Sequence, residues 1–215
     1  MTVSPLTLAP DRFVDSDHPA VVEFAQRCAG GLPPREAAVR LAAEVRDLIR
    51  YSPWGLTLDP AQWKASAVLS RDRSRGAHCI DKANLLAASA RALGIPARLH
   101  FADVRNHIGT ARLEEQLGTD LLVYHGYTEM HLDGRWIAAT PAFNAELCAR
   151  LGVPPLTFDG IHDSVFQQHD PAGARFMEYV TDHGTCHTLP WDQMFAAWRR
   201  HYPRFTETLA PQSFL

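Results

Sequence analysis

The chain has 215 residues, 46% of them hydrophobic and 21% charged, with a formal net charge of −3. That suits one domain, 1–215, with a full-sized core. Acidic and basic residues are interspersed with no basic stripe among aromatics, which argues against a nucleic-acid partner. No apolar run reaches the roughly 20 residues that span a bilayer, and Met1-Thr2-Val3-Ser4-Pro5-Leu6 lacks the basic region and apolar core of a signal peptide; a cytoplasmic protein with no membrane partner is the expectation.

The first half reads as helical. Ser16 is placed to cap a helix through Val21, Val22, Phe24 and Ala25 that stops at Gly30-Gly31. Pro33-Pro34 precedes a second helix, Arg35 to Arg50, whose Ala38, Leu41, Val45, Leu48 and Ile49 recur at helical spacing; Tyr51-Ser52-Pro53 ends it. Ala61 to Ser70 adds a helical turn or two. A further helix starts at Cys79 and closes at Leu93-Gly94, with Ala83, Leu86, Ala87, Ala90 and Leu93 on the face that meets a sheet.

The middle is strand-like: Ala97 to Val104, Leu121 to Leu132 and Arg135 to Ala139, the last two joined by the hairpin turn Asp133-Gly134. Alternation puts Val123, His125, Tyr127 and Glu129 on one face of the second strand. Between the first two strands, Arg105 to Asp120 is a polar loop with a helical patch at Leu113-Glu114-Glu115, either a lid or a plain connection. A short helix follows Asn144. A strand pair is expected around Val165-Phe166 and Phe176-Tyr179, turned at Asp170-Pro171-Ala172-Gly173. A last helix has Thr188 as cap and Met194, Phe195 and Trp198 facing inward.

Of the four cysteines, Cys28, Cys79, Cys148 and Cys186, none forms a C-x-x-C pair, and free thiols are expected. Cys28 and Cys148 read as small core residues. Cys79 stands apart because it opens a helix, where unpaired N–H groups and the helix dipole favour a thiolate. His125, followed by a glycine that lets another backbone approach, supplies an imidazole on a later strand. A thiol and a distant imidazole are the parts of a cysteine nucleophile with its general base.

The run Gly76-Ala77-His78-Cys79-Ile80-Asp81-Lys82-Ala83-Asn84-Leu85-Leu86, then Arg91-Ala92-Leu93-Gly94-Ile95-Pro96-Ala97-Arg98, then His125-Gly126-Tyr127-Thr128-Glu129 through Asp133-Gly134-Arg135-Trp136 resembles the transglutaminase-like superfamily over about residues 66–144. The run Phe158 to Ser164 resembles a bacterial branch of it. The resemblance implies an α+β, papain-like core, with residues 145–215 as accessory elements of the same domain. It implies Cys79 as nucleophile and His125 as base. The third position of the triad, an aspartate in the family, is Thr140 here, in Trp136-Ile137-Ala138-Ala139-Thr140-Pro141. A threonine hydroxyl can orient an imidazole but brings no charge. Asp103, Asp159 and Asp163 are candidates for that charge. Trp54, Gln62 and Trp63 are candidates for the side-chain oxyanion donor that the family uses beside the nucleophile's own N–H. Lys82 either adds positive charge near the thiol or is solvated.

The eleven histidines include His183-Gly184-Thr185-Cys186-His187 and His162-Asp163 with His169, but neither group repeats a known metal-site spacing. No cofactor or metal is implied. The expected activity is cleavage of an amide, ester or thioester in a peptide or small molecule through a thioester on Cys79, as a peptidase or amidase. The alternatives are an acyltransferase forming amides, and a non-catalytic binding module that keeps the fold. The oligomeric state is not legible.

Overall fold

The computed structural model describes residues 3–54, 56–107, 111–166, 173 and 176–209. At its centre lies α4 (Cys79–Ala92), buried from Ile80 to Arg91. A helix with no wet face must be surrounded. Here α1 (Pro19–Ala29), α2 (Pro34–Leu48) and α3 (Ala65–Ser70) cover one side and the sheet covers the other. The expectation of a single apolar face on α4 therefore understated it. Its polar residues are buried as well and tie loops to the core. Asn84 donates to the carbonyls of Phe13 and Trp63, both at 2.9 Å. Arg91 donates to those of Ala97, Ala9 and His187. Most buried polar groups in folded proteins are bonded in this way.

The sheet has the order β3-β2-β1-β4, with all neighbours antiparallel: β1 (Ala97–Asn106), β2 (Leu121–Leu132), β3 (Arg135–Ala139) and β4 (Met177–Cys186). Asp133 and Gly134 take φ of 48° and 83°, the two left-handed residues of a tight hairpin turn. The architecture is the expected α+β, papain-like transglutaminase fold.

Five details differ from the sequence reading. The first helix is capped by His18, not Ser16. Val165-Phe166 forms no strand pair with 176–179; β4 pairs with β1 instead and runs on through His183-Gly184. Residues 170–172 of the expected turn lie outside the described residues. The Arg105–Asp120 stretch extends β1 to Asn106 and contains α5 (Ala111–Leu117). After α6 (Ala145–Leu151) and α7 (Trp191–His201) comes an unforeseen α8 (Pro203–Leu209). Thr188 does not cap α7 but donates to Asp11 at 2.7 Å.

The C-terminal helices clamp the start of β2. Trp198 Nε1 donates to Val123 O at 2.9 Å, and the Tyr202 hydroxyl donates to Leu121 O at 2.7 Å while accepting the Val123 N–H. Trp63 sits among Trp191, Phe195 and Trp198 with ring centroids 5.3–5.7 Å away. Among the described residues, no helix is long and apolar enough to cross a membrane.

Candidate active site

Cys79 is the first residue of α4, and the turn around it is fixed on both sides. His78 caps the helix by accepting the Asp81 N–H, while the Asp81 carboxylate accepts the His78 N–H. Arg71 holds Asp81 at 2.6 Å. Upstream, Gly76 has φ +68°, and a Cβ there would strike Arg50 O and Ser52 Cβ at 2.6 Å. The absent side chain lets this strip run flush against the end of α2, with Ala77 N bonded to Arg50 O and Ser52 N to Ala77 O. Tyr51 is thereby bridged to Ala77, two residues from the thiol. Its N–H donates to Asn144 Oδ1 at 2.9 Å, and its ring packs edge-on against Phe143.

His125 approaches from β2. The expected close approach at Gly126 is real: a Cβ there would lie 3.3 Å from Ile80 Cα and 3.1 Å from the Phe101 ring. The strand thus lies on the first turn of α4. The alternation expected along β2 breaks at Tyr124, whose φ is 61°. Between Ala102↔His125 and Val104↔Leu122 the register slips by one residue, a β-bulge. As a result Val123 packs in the main core, whereas His125 packs on Phe166 at 5.1 Å.

Cys79 and His125 line one cavity of about 70 Å³. The N–H groups of Gly126, Ile80 and Cys79 itself favour the thiolate, as the helix-start argument requires, but burial outweighs them and pushes the thiol up to about 11. Burial alone takes the His125 imidazole down to about 4. Burial thus raises the thiol and lowers the imidazole, against the depressed thiol expected from the helix dipole.

The third position also differs. Thr140 is buried at the end of β3, with its N–H on Ser164 O at 2.8 Å. Among the described residues neither its hydroxyl nor His125 Nε2 has a hydrogen-bond partner, so the bond between them that would orient the imidazole is not made. None of the three aspartates replaces it. Asp103 accepts from Tyr124 N and bonds His183 Nε2. Asp159 closes its own loop on Ile161 N, His162 N and the His162 ring. Asp163 accepts from Ala138 N. A carboxylate beside His125 would raise its pKa, and among the described residues no charge acts on it.

Of the proposed oxyanion donors, Trp63 commits its Nε1 to Thr57 O at 3.0 Å, and neither it, Trp54 nor Gln62 lines the cavity. Tyr51 does, and sequence reasoning missed it because Tyr51-Ser52-Pro53 read only as a helix stop. Its hydroxyl feels the Cys79 charge and is held well above its ordinary pKa by burial, so it stays a donor. Lys82 is neither solvated nor paired with Asp81. It is wholly buried, donates to Arg46 O at 2.7 Å and Ala142 O at 2.9 Å, and is lowered by burial to about 7. Cys148 is buried, as expected, while Cys28 is half-buried; all four cysteines are free. His183 and His162 are engaged by Asp103 and Asp159, His169 lies outside the described residues, and among the described residues no cluster could hold a metal ion.

No curated protein matches the chain. Among solved structures, a candidate cysteine protease from Cytophaga hutchinsonii superposes with a TM-score of 0.52 at 18% identity, over 87% of this chain and 48% of that one. The chain therefore spans about half the length of that protein and shares its fold. The profile of the transglutaminase-like superfamily matches residues 22–141, which takes in α1 through β3 and with them Cys79, His125 and Thr140. With that match over more than half of its length, the chain belongs to the transglutaminase-like superfamily.

Proposed function

We propose that this protein is a cysteine hydrolase that cleaves an amide, ester or thioester through an acyl-Cys79 intermediate. The observation that carries the reading is that Cys79 and His125, 46 positions apart in the chain, line the same cavity, while the Gly126 N–H favours the thiolate. Because both groups rest neutral, the thiol proton passes to His125 as Sγ attacks the carbonyl carbon. The carbonyl electrons move onto oxygen, where the Cys79 N–H and the hydroxyl of Tyr51, which lines the same cavity, would donate to it. Collapse breaks the bond to the leaving amine, alcohol or thiol, which takes the proton from His125. Water then attacks the thioester with His125 as base, the S–C bond breaks, and the thiol regains its proton. His125 is held by packing on Phe166 and Tyr127 rather than by Thr140. Four free cysteines support a reducing compartment such as the cytoplasm.

A second reading, transfer of the acyl group to an amine, is favoured by the dryness of the site, since excluding water protects an acyl-enzyme. Partitioning decides between them. With an activated ester as donor and a primary amine titrated in, hydrolysis predicts mainly free acid at about 1 mM amine, the upper end of ordinary KM values. A product that is mostly amide at that concentration makes the protein a transferase.

A further inference from the structure

We infer that the cavity beside Cys79 is a specificity pocket for a short, uncharged, apolar acyl group. This deepens the cysteine-enzyme reading and rests on it. The walls beyond Cys79 and His125 are Leu113 and Leu117 from α5, Leu122 and Val123 from β2, and Trp198 and Tyr202 from α7 and its end. Among the described residues, no Asp, Glu, Lys or Arg contributes to the lining. The polar atoms of the far wall are already spent. Trp198 Nε1 is given to Val123 O, and the Tyr202 hydroxyl donates to Leu121 O and accepts from Val123 N. His78, also in the lining, is engaged in capping α4.

A charged acyl tail would therefore lose its water and meet no counter-charge among the described residues, a penalty far larger than a missing apolar contact. An apolar tail replaces water on surfaces that make no bonds to it. The same dryness that holds the thiol and imidazole neutral would act on the substrate. The tail held here is assigned to the acyl side because the acyl group stays on Sγ between the two half-reactions, whereas the leaving group must depart and admit water. A wall of Leu, Val and Trp suits the half that stays. The volume of about 70 Å³ is room for roughly five water-sized groups, which points to chains of about four to six carbons.

The test uses 4-nitrophenyl esters with a constant leaving group: acetate, butanoate, hexanoate and hemisuccinate, the last matching butanoate in length but ending in a carboxylate. Attack forms the S–C bond and expels 4-nitrophenolate, so acylation is read as the absorbance burst and as mass added to Cys79, with Cys79→Ala as background. Butanoate or hexanoate is expected to acylate Cys79 at least about tenfold faster than acetate and about a hundredfold faster than hemisuccinate, in line with the discrimination apolar pockets achieve. Leu117→Ala, which deepens the pocket, should move the preferred length up by one or two carbons. Should that variant not fold, the four-ester series on the native protein still decides. Hemisuccinate as fast as butanoate, with the adduct on Cys79, overturns the apolar pocket and leaves the nucleophile standing. Equal bursts in native protein and Cys79→Ala remove the nucleophile and the pocket together.

Discussion

Asp103 accepts the backbone N–H of Tyr124 at 2.9 Å, and Tyr124, at φ 61°, is the residue immediately before His125. A non-glycine residue in that region is strained by about 1–2 kcal/mol, so something must hold it. Asp103 does so from the neighbouring strand. It is held in turn by His183 at 2.7 Å, whose ring stacks on Tyr124 with centroids 4.2 Å apart. The kink sets which face of the sheet His125 occupies, so Asp103 is a positioning residue that acts through the backbone. Asp103→Ala should cost about 1–3 kcal/mol of stability and lower kcat more than it changes KM. Asp103→Asn keeps an acceptor for the Tyr124 N–H and should retain most of the activity. Thermal melts and steady-state kinetics on both variants check this; equal losses in the two would mean that charge, not the backbone bond, matters.

Thr140→Val should leave kcat/KM within about threefold, because the hydroxyl it removes makes no bond. Removing an unsatisfied buried hydroxyl while keeping its shape should raise stability by up to about 1 kcal/mol. A tenfold loss of activity would show that the hydroxyl does orient the imidazole during turnover.

The acid side of the stability curve should carry the signature of His125. In the unfolded chain it binds a proton below its ordinary value near 6.5, whereas in the fold it does so only below about 4. Between those values the unfolded state holds more protons, so stability falls as pH falls, by up to roughly 3 kcal/mol from this group. His78, lowered by burial as well, adds the same sign. His125→Gln should therefore flatten the slope between pH 6.5 and 4.5 without abolishing it. Denaturant titrations at several pH values measure it; an unchanged slope contradicts a neutral, buried His125.

Lys82 gives a second window. Lowered from 10.5 to about 7, it is neutral in the fold while still charged in the unfolded chain, so stability should rise with pH from 7 to 9. Above pH 9 the raised Cys79 thiol works in the opposite direction. Lys82→Met should remove up to about 2 kcal/mol of that rise. Chemical denaturation at pH 7, 8 and 9 provides the comparison, and a variant with the native slope would mean that Lys82 stays charged.

Much of this was legible in the sequence, and the limits have physical causes. A thiol opening an alanine-rich helix, a histidine before a glycine on a strand, and Asp133-Gly134 in a hairpin are local signals, and each lies where its neighbours in the chain put it. What was hidden depends on pairing across the fold. The kink at Tyr124 leaves no glycine to mark it. Tyr51 reaches the site only because Gly76 lets two strips of backbone touch. The polar run Asp182-His183-Gly184 carries no strand pattern but forms the end of edge strand β4, whose half-wet face suits such residues. The protonation of Cys79 was misjudged for a related reason: the helix dipole is visible in sequence, but the apolar wall of Leu117, Trp198 and Tyr202 that dries the site is assembled from distant segments.

The most direct measurement of the central claim is the site and rate of acylation by 4-nitrophenyl butanoate, read by peptide mapping in native protein and in His125→Ala. With a thiol near 11, acylation at neutral pH must depend on the imidazole rather than on pre-formed thiolate. Cys79 should carry the acyl group well before Cys28, Cys148 or Cys186, and His125→Ala should slow that reaction by about 10²-fold or more, the scale of general-base catalysis. Acylation of another cysteine as fast as Cys79, or a rate unchanged in His125→Ala, would contradict the account.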